Sequence, residues 1–133
     1  MFDESLISVV RNDFPTNEEE QRPVTLITHE IGENSFADDW RVYLSLGRDA
    51  DANLVNSAVI LGASHYILGL EMALSGIGVA LIPTFLAEGA LTEGRLRTWR
   101  GHQVPTGLSY YIHIKYAGRK EPDIEAFYCL VRE

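Results

Sequence analysis

The chain has 133 residues, of which 46% are hydrophobic and 23% are charged, and its formal net charge is -8. This length fits one domain with its own core, and the composition is that of a globular protein. The acidic balance, without a stripe rich in Lys and Arg, repels phosphate and argues against DNA binding by this chain itself. The single cysteine, Cys129, cannot form an internal disulfide, which favours a reducing compartment and hence the cytoplasm.

The N-terminal sequence MFDESLISVVRNDF places two acids before a short apolar run. It therefore resembles neither a signal peptide nor a membrane span, and no membrane partner is expected. Within it, LISVVR (residues 6–11) is rich in β-branched residues and predicts a strand. The polar, proline-marked NDFPTNEEEQRP predicts a linker, and VTLITHE (residues 24–30) predicts a second strand.

A helix is predicted after the second strand, because apolar residues recur there at helical spacing. The members of this face are Phe36, Trp40, Tyr43 and Leu44. Ser35 is the expected N-cap, and Gly47 is the expected left-handed residue at the C-terminus. Asp38 and Asp39 suit the positive end of the helix dipole. Because they are adjacent in sequence, their side chains diverge and cannot act as an acid/base pair.

Strand and helix patterns then alternate along the middle of the chain. LVNSAVI (residues 54–60) predicts a strand, and Gly62 a break. Ser64 is the expected N-cap of the helix HYILGLEMALS, with Gly76 as its terminator. Residues 79–82 predict a short buried strand, followed at once by another helix.

The last third of the chain continues this alternation. Pro83 and Thr84 begin the helix FLAEGAL, which Gly94 ends. RLRTW predicts a strand, GHQVPTG a loop and SYYIHIKY a further strand. Pro122 occupies a first helical position ahead of DIEAFYCLVRE. Strands alternating with helices predict an α/β fold with a mainly parallel sheet.

Catalytic chemistry has little support in the sequence. The histidines His29, His65, His102 and His113 lie in different elements and lack the spacing of metal ligands. A glycine-rich phosphate loop and a GxSxG elbow are missing, and in GIGVAL the second glycine, Gly78, is better explained by close packing. We therefore expect a protein that is not an enzyme, with no cofactor and no metal site.

The ordered set of motifs resembles a known family. The run HYILGLEMALSGIGVALIPTFLAEGALTEGRL, preceded by FADDWRVYLSLG and followed by SYYIHIKY and PDIEAFYCLVRE, is similar to the effector-binding domain of LysR-type transcriptional regulators. It is most similar to the branch of the glycine-cleavage activator and the β-lactamase regulators. That branch has a strand ending in His-Glu, a helix with a Trp and a GxGVALxP strand. His29, Glu30, Trp40 and residues 76–83 stand at the matching places.

The resemblance implies a periplasmic-binding-protein-like (type 2) lobe. Residues 12–103 would be regulatory subdomain II, and residues 1–11 with 104–133 would complete subdomain I. The winged helix-turn-helix, the linker helix and the first part of subdomain I would be missing, so DNA would be bound only through that missing N-terminal part. The effector domains of this family pair antiparallel, which implies a homodimer, with strand exchange through residues 104–116. That pairing would cover apolar residues that lack intramolecular partners: Tyr111, Ile112, Ile114, Phe127 and Leu130.

On the same resemblance, a small-molecule effector would bind where strand ends and helix N-termini converge. The candidate contacts are Thr28, His29, Ser64, His65, Tyr66, Thr84 and Phe85. Free N–H groups at helix N-termini favour an anionic or carboxylate-bearing metabolite, bound weakly without the facing wall of subdomain I.

Each of these residues also has a purely structural interpretation. Thr28 and His29 could cap a neighbouring loop, Ser64 and Thr84 could be helix caps, and the rings of Tyr66 and Phe85 could only pack. Trp40 is better explained as core than as a ligand contact, because it shares the predicted buried helix face.

Two other functions are compatible with the sequence. A solute-binding domain serving transport would have the same two-lobed architecture, although the missing signal peptide argues against it. A truncated interaction fragment could pair with longer regulators without sensing any ligand. The WRVYL and GVALIP segments favour the regulator over the transport protein.

Overall fold

The structure, a computed structural model, describes residues 2–15, 23–47 and 53–110. Ser5–Val104 form one compact unit, and Met1–Glu4 with Pro105–Glu133 form a second. The described elements, in chain order, are β1 (Phe2–Arg11), β2 (Thr25–Thr28), α1 (Asp38–Ser45), α2 (Leu54–Ser57), β3 (Val59–Gly62), α3 (Tyr66–Leu74), β4 (Val79–Pro83), α4 (Thr84–Thr92) and β5 (Leu96–Tyr110).

The five strands form one sheet in the order β3-β2-β4-β1-β5. Strand β2 runs parallel to β3, with Thr28 opposite Gly62, and parallel to β4, with Leu26 opposite Val79. Strand β1 runs antiparallel to β4. The sheet is therefore mixed, and the carboxyl ends of β3, β2 and β4 meet at one edge.

Helices cover both faces of the sheet in the Ser5–Val104 unit. Because side chains alternate along a strand, neighbouring residues such as Leu26 and Ile27 enter different cores. One core joins strand residues to α1 and α2: Leu26, Val79 and Leu81 with Trp40, Tyr43, Leu44 and Val55. The other joins them to α3 and α4: Ile27, Ala80 and Ile82 with Ala73, Ala87 and Ala90. Trp40 is fully buried, so its interpretation as a core residue is confirmed.

Buried hydrogen bonds fix α1 against the sheet. Trp40 Nε1 donates to the Ile27 carbonyl at 2.8 Å. The Tyr43 hydroxyl donates to the His102 carbonyl at 2.8 Å, so its other contact, 2.8 Å from Ser8 Oγ, must be one in which Ser8 donates. The rings of Tyr43 and His102 also stack at 4.0 Å. The position of α1 is therefore set by polar contacts as well as by its apolar face.

Several predicted helix signals are corrected by the structure. Ser35 does not cap α1; the helix begins at Asp38 after Ala37, which adopts a left-handed φ of 63° and makes no side-chain cap bond. Gly47 does not have a left-handed φ, and α1 ends instead at Leu46, whose backbone is in the right-handed region. Gly76 and Gly94 do end their helices with positive φ, as predicted.

The predicted strand over residues 54–60 is wrong in its first half. Residues 54–57 form the short helix α2, and the strand runs over Val59–Gly62. Ser57 Oγ donates to the Leu54 carbonyl at 3.2 Å, and such local side-chain bonds favour a turn over a sheet ladder. Gly62, predicted as a break after the strand, is instead the last residue of β3.

The loop predicted for GHQVPTG is also wrong, because β5 continues through it to Tyr110. This strand lies at one end of the strand order, and an edge strand tolerates the missing N–H of Pro105. The close packing predicted for Gly78 is confirmed, since a Cβ there would lie 2.5 Å from the Thr25 carbonyl oxygen.

In the unit of Met1–Glu4 and Pro105–Glu133, Thr106 Oγ1 donates to the Glu4 carbonyl at 3.4 Å. The helix predicted after Pro122 and the apolar positions from Tyr111 to Leu130 lie outside the described residues. Within the described part of the chain, no helix is long and apolar enough to cross a membrane.

Candidate functional site

The candidate site lies at the edge where β3, β2 and β4 end. We call residues 28–31, 63–68 and 83–86 the carboxyl-edge site, because each segment includes or follows the end of one of these parallel strands. In open α/β sheets this edge is where ligands bind. The sequence-predicted contacts all belong to it: Thr28, His29, Ser64, His65, Tyr66, Thr84 and Phe85.

One carboxylate organises the end of β2. Asp39 accepts three hydrogen bonds: at Oδ1 from Thr28 Oγ1 at 2.6 Å and from the Trp40 N–H at 2.8 Å, and at Oδ2 from the His29 N–H at 3.1 Å. Thr28 Oγ1 in turn accepts from the Glu30 N–H at 3.1 Å. The chain is therefore held in a fixed turn as it leaves the strand.

This arrangement decides what Thr28 does in the structure. Its side chain is fully buried, and its only hydrogen atom on oxygen is given to Asp39. The described contacts of Thr28 are those of a capping residue, which was the structural alternative. A contact of Thr28 with an effector remains a prediction.

The imidazole of His29 packs against the start of α3. Both ring nitrogens are buried, and neither forms a hydrogen bond to any described residue. The ring centroid lies 4.5 Å from that of Tyr66, tilted by 55°. The opposite contact is Gly69, where a Cβ would lie 2.6 Å from His29 Nε2. The ring thus fills a notch that exists because position 69 has no side chain.

Burial lowers the pKa of His29 below its usual 6.5, which outweighs the charge of Asp39 and a polar contact of the ring with the His65 backbone, both of which raise it. That contact with His65 does not have the geometry of a full hydrogen bond. The ring is therefore neutral at physiological pH. A neutral imidazole offers one N–H donor and one acceptor nitrogen. Leaving such a pair without full hydrogen bonds is costly inside a protein, and because neither nitrogen has exposed surface, the ring's described role is packing against α3.

The first turn of α3 differs from the predicted one. His65, and not Ser64, is the N-cap: its Nδ1 accepts from the Leu68 N–H at 3.1 Å. Ser64 is exposed and precedes the cap. Two apolar side chains of this turn face solvent, Ile67 with 58% and Leu68 with 39% of their surface exposed. The start of α3 therefore presents apolar surface. One of its free backbone donors, the Leu68 N–H, is already bonded to His65.

The start of α4 completes the site. Pro83 is its N-cap and makes no side-chain cap bond. Thr84 is half-buried, and Phe85 has 37% of its surface exposed. Ala80 of β4 lies opposite Ile27 of β2, and β4 continues to Pro83, where α4 begins. The first turn of α4 and His29 therefore lie at the same end of the sheet. Among the residues that the structure describes, no group of three or more His, Cys, Asp or Glu side chains could hold a metal ion.

Solved structures of regulatory domains share this fold. The regulatory domain of HypT from Salmonella typhimurium, in its apo form, matches with a TM-score of 0.56 at 17% identity, covering 98% of this chain and 61% of that one. The effector domain of AmpR from Pseudomonas aeruginosa matches with a TM-score of 0.54 at 18% identity, covering 79% and 48%. The chain has the fold of a LysR-type effector domain. The resemblance inferred from the motifs is confirmed at the level of the fold.

A third match is full-length LysG from Corynebacterium glutamicum with bound effector Arg, at a TM-score of 0.51 and 12% identity, covering 78% of this chain and 36% of that one. No family model and no curated protein matches the sequence. The chain spans only about half to three fifths of the HypT regulatory domain, 50% in one structure and 61% in another.

Sequence reasoning missed two residues that hold the site from outside it, Asp39 and Gly69. Asp39 was noticed only as an acid near a helix start, because its bonds to Thr28 and His29 join positions ten and eleven residues apart. The role of Gly69 was not predicted, because it consists only of leaving space for the His29 ring. A glycine inside an otherwise regular helical pattern is the one feature that hints at such a contact.

Proposed function

We propose that this chain is the small-molecule-sensing and dimerisation module of a LysR-type transcriptional regulator. The observation that carries the proposal is the carboxyl-edge site itself. The first turns of two helices, with exposed side chains such as Ser64 and Phe85, lie at the ends of parallel strands, in the fold of known regulatory domains. The proposed role is ligand binding without catalysis.

The assignment of subdomains follows from the same proposal. Residues 12–103 would form regulatory subdomain II, whose parallel strands β3, β2 and β4 end at the effector. Residues 1–11 and 104–133 would belong to subdomain I. DNA would be bound by a separate domain, and the module would act as a homodimer in the cytoplasm, where a single cysteine stays reduced.

Binding to this chain is expected to be weak. Several side chains of the carboxyl-edge site are exposed, among them Ser64, Ile67 and Phe85, and ligand pockets usually bury most of the surface of what they bind. Two helix N-termini contribute only about 0.3–1 kcal/mol each toward a charged group. Affinity must therefore come mainly from the surrounding apolar side chains.

Chemical-shift mapping by heteronuclear NMR tests the proposal. A panel of amino acids, amines, carboxylic acids and muropeptide-like compounds is added to the labelled protein. We expect the perturbed amides to cluster at the carboxyl-edge site. Perturbations confined to the amino ends of the strands, or none with any compound, would contradict the proposal and favour a fragment that only associates.

A matched pair of variants controls for nonspecific effects. Ser64→Tyr adds bulk at an exposed position beside His65, whereas Ser75→Tyr adds the same bulk at the exposed opposite end of α3. The first is expected to weaken binding by about tenfold or more, and the second to leave it unchanged. Equal effects would show that the ligand does not bind at the carboxyl-edge site.

A further inference from the structure

Helix α1 forms hydrogen bonds to the sheet from both of its ends, and each end binds different strands. Its first turn binds the carboxyl end of β2 through Asp39, which accepts hydrogen bonds from Thr28 Oγ1 and from the His29 N–H. The next residue, Trp40, donates to the Ile27 carbonyl at 2.8 Å. The start of α1 is therefore attached to the strand end that belongs to the carboxyl-edge site.

The last turn of α1 is attached to β1 and β5 by a series of hydrogen bonds. The Arg100 N–H of β5 donates to Ser8 Oγ of β1 at 2.9 Å. The Ser8 hydroxyl donates to the Tyr43 hydroxyl at 2.8 Å, which in turn donates to the His102 carbonyl at 2.8 Å. The series thus runs from β5 through β1 and α1 and returns to β5 two residues further on.

The imidazole of His102 attaches β5 to α1 a second time. Its Nε2 lies 2.8 Å from the Tyr43 carbonyl oxygen, and because a carbonyl only accepts, Nε2 carries the proton of this hydrogen bond. A Cβ at Gly47 would lie 2.6 Å from Cε1 of His102, so the ring fits over the end of α1 because position 47 has no side chain. Burial raises the pKa of Tyr43 above its usual 10, so its hydroxyl keeps the proton that it donates to β5.

The two attachments are close together and buried. Asp39 and Tyr43 are one helical turn apart, about 6 Å along the axis of α1. The side chains that they bind on β2 and β1, Thr28 and Ser8, are fully buried. Because protein interiors are close-packed, a shift of α1 at one attachment has no empty space to absorb it and displaces the other. Strands β1 and β5 are also the two strands by which the chain leaves the Ser5–Val104 unit.

We propose that α1 couples the end of β2 to β1 and β5, so that a change at the carboxyl-edge site alters the hydrogen bonds of the two strands that leave the unit. This inference rests on the proposed function for the event that starts the change, which is the binding of an effector. It gives Ser8, Tyr43 and His102 a role in transmitting that event and no role in contacting the effector. The coupling itself is a property of the protein alone and is measured without a ligand.

NMR of the folded protein tests whether a change at β2 reaches β5. Thr28→Val keeps the shape of the side chain and removes the hydroxyl that binds Asp39. We expect it to shift the signals of the Arg100 amide and of the His102 ring. Thr84→Val is the matched control, because it makes the same replacement at the same end of the sheet but in α4, which packs on the face opposite to α1. Unchanged signals in Thr28→Val, or equal shifts in both variants, would overturn the inference.

A double-mutant cycle in urea measures the size of the coupling. Thr28→Val is combined with Tyr43→Phe, which removes the hydroxyl that joins β1 to β5. We expect the unfolding equilibrium constant of the double variant to depart from additivity by about threefold or more. The cycle of Thr84→Val with Tyr43→Phe should be additive within about twofold. If Tyr43→Phe is too unstable to measure, Ser8→Ala breaks the same series of hydrogen bonds from β1. Additivity of the Thr28 cycle would overturn the inference.

The failure of this inference and the failure of the proposed function are distinguishable. An additive Thr28 cycle together with a compound that perturbs the carboxyl-edge site would refute the coupling through α1 and leave the sensing function standing. A coupled cycle with no compound of the panel perturbing the site would refute the sensing function and leave the coupling standing.

Discussion

Asp39 offers the sharpest test of how the site is held together. Replacing it by Asn keeps the shape and the Oδ1 acceptor for Thr28 and Trp40, but it replaces Oδ2 with an NH2 group. That group would point a donor at the His29 N–H, which now donates to Oδ2 at 3.1 Å. A hydrogen bond to a charged acceptor contributes about 1.5–3 kcal/mol, so Asp39→Asn should lower the free energy of unfolding by about 2–3 kcal/mol.

Asp38→Asn is the matched control, because the two acids are adjacent in the first turn of α1 and interact similarly with its dipole. Asp38 makes only an exposed ion pair with Arg41, so its replacement should cost about 0.5–1 kcal/mol. The difference between the two variants, about 1–2.5 kcal/mol, isolates the hydrogen bonds of Asp39.

Urea unfolding measures both variants, and a thermal melt provides a second readout, with about 3–5 °C expected for each kcal/mol in a chain of this length. Equal losses for Asp39→Asn and Asp38→Asn would refute the idea that Asp39 organises the end of β2. A selective loss for Asp39→Asn should also shift the NMR signals of His29 in the folded protein.

Two further predictions concern His29 and its notch. Gly69→Ala should destabilise the protein and displace the His29 ring, because the new Cβ would lie 2.6 Å from Nε2. The control is Gly89→Ala, which has open space around it and should stabilise α4 by about 0.5–1 kcal/mol. If urea unfolding showed a gain in stability for both variants, the notch at Gly69 would be contradicted. Because burial lowers the pKa of His29 below 6.5, the unfolded chain binds more protons, so stability should fall as the pH drops through 6.5 toward the folded pKa. His29→Phe should remove this contribution, and an unchanged pH dependence of the free energy of unfolding would contradict it.

The sequence predicted the elements whose signals are local. The repeat of Trp40, Tyr43 and Leu44 gave the buried face of α1, but Phe36, predicted as the first member of that face, precedes the helix and is exposed, because α1 begins only at Asp38. Gly76 and Gly94 have positive φ because a glycine can end a helix in that conformation without a Cβ clash. The short strand β4 was predicted because a continuous apolar run fits a strand buried on both faces. Such features depend on a few neighbouring residues.

Features that depend on contacts distant in sequence were not predictable. The extent of β5 through Pro105 depends on its place at the end of the sheet, which the local turn residues do not reveal. Residues 54–57 were predicted as part of a strand but form the short helix α2. The bonds of Asp39 and the notch at Gly69 likewise bring together groups from different elements. The residue types of the site were thus accessible from the sequence, but the way they are held in place was not.

The rigidity of the carboxyl-edge site has a consequence for signalling. Three hydrogen bonds to Asp39 hold the turn at the end of β2, and the His29 ring lies against Tyr66 and Gly69 of α3, so a second arrangement of this part of the site would have to break these contacts. A ligand shifts a conformational equilibrium only if it binds two states with different affinity. An effector held by a fixed surface must therefore obtain that difference from contacts with parts of the protein that move relative to it. Under the proposed function, this fixed turn would supply recognition, and the conformational response would originate in parts of the protein that move relative to it.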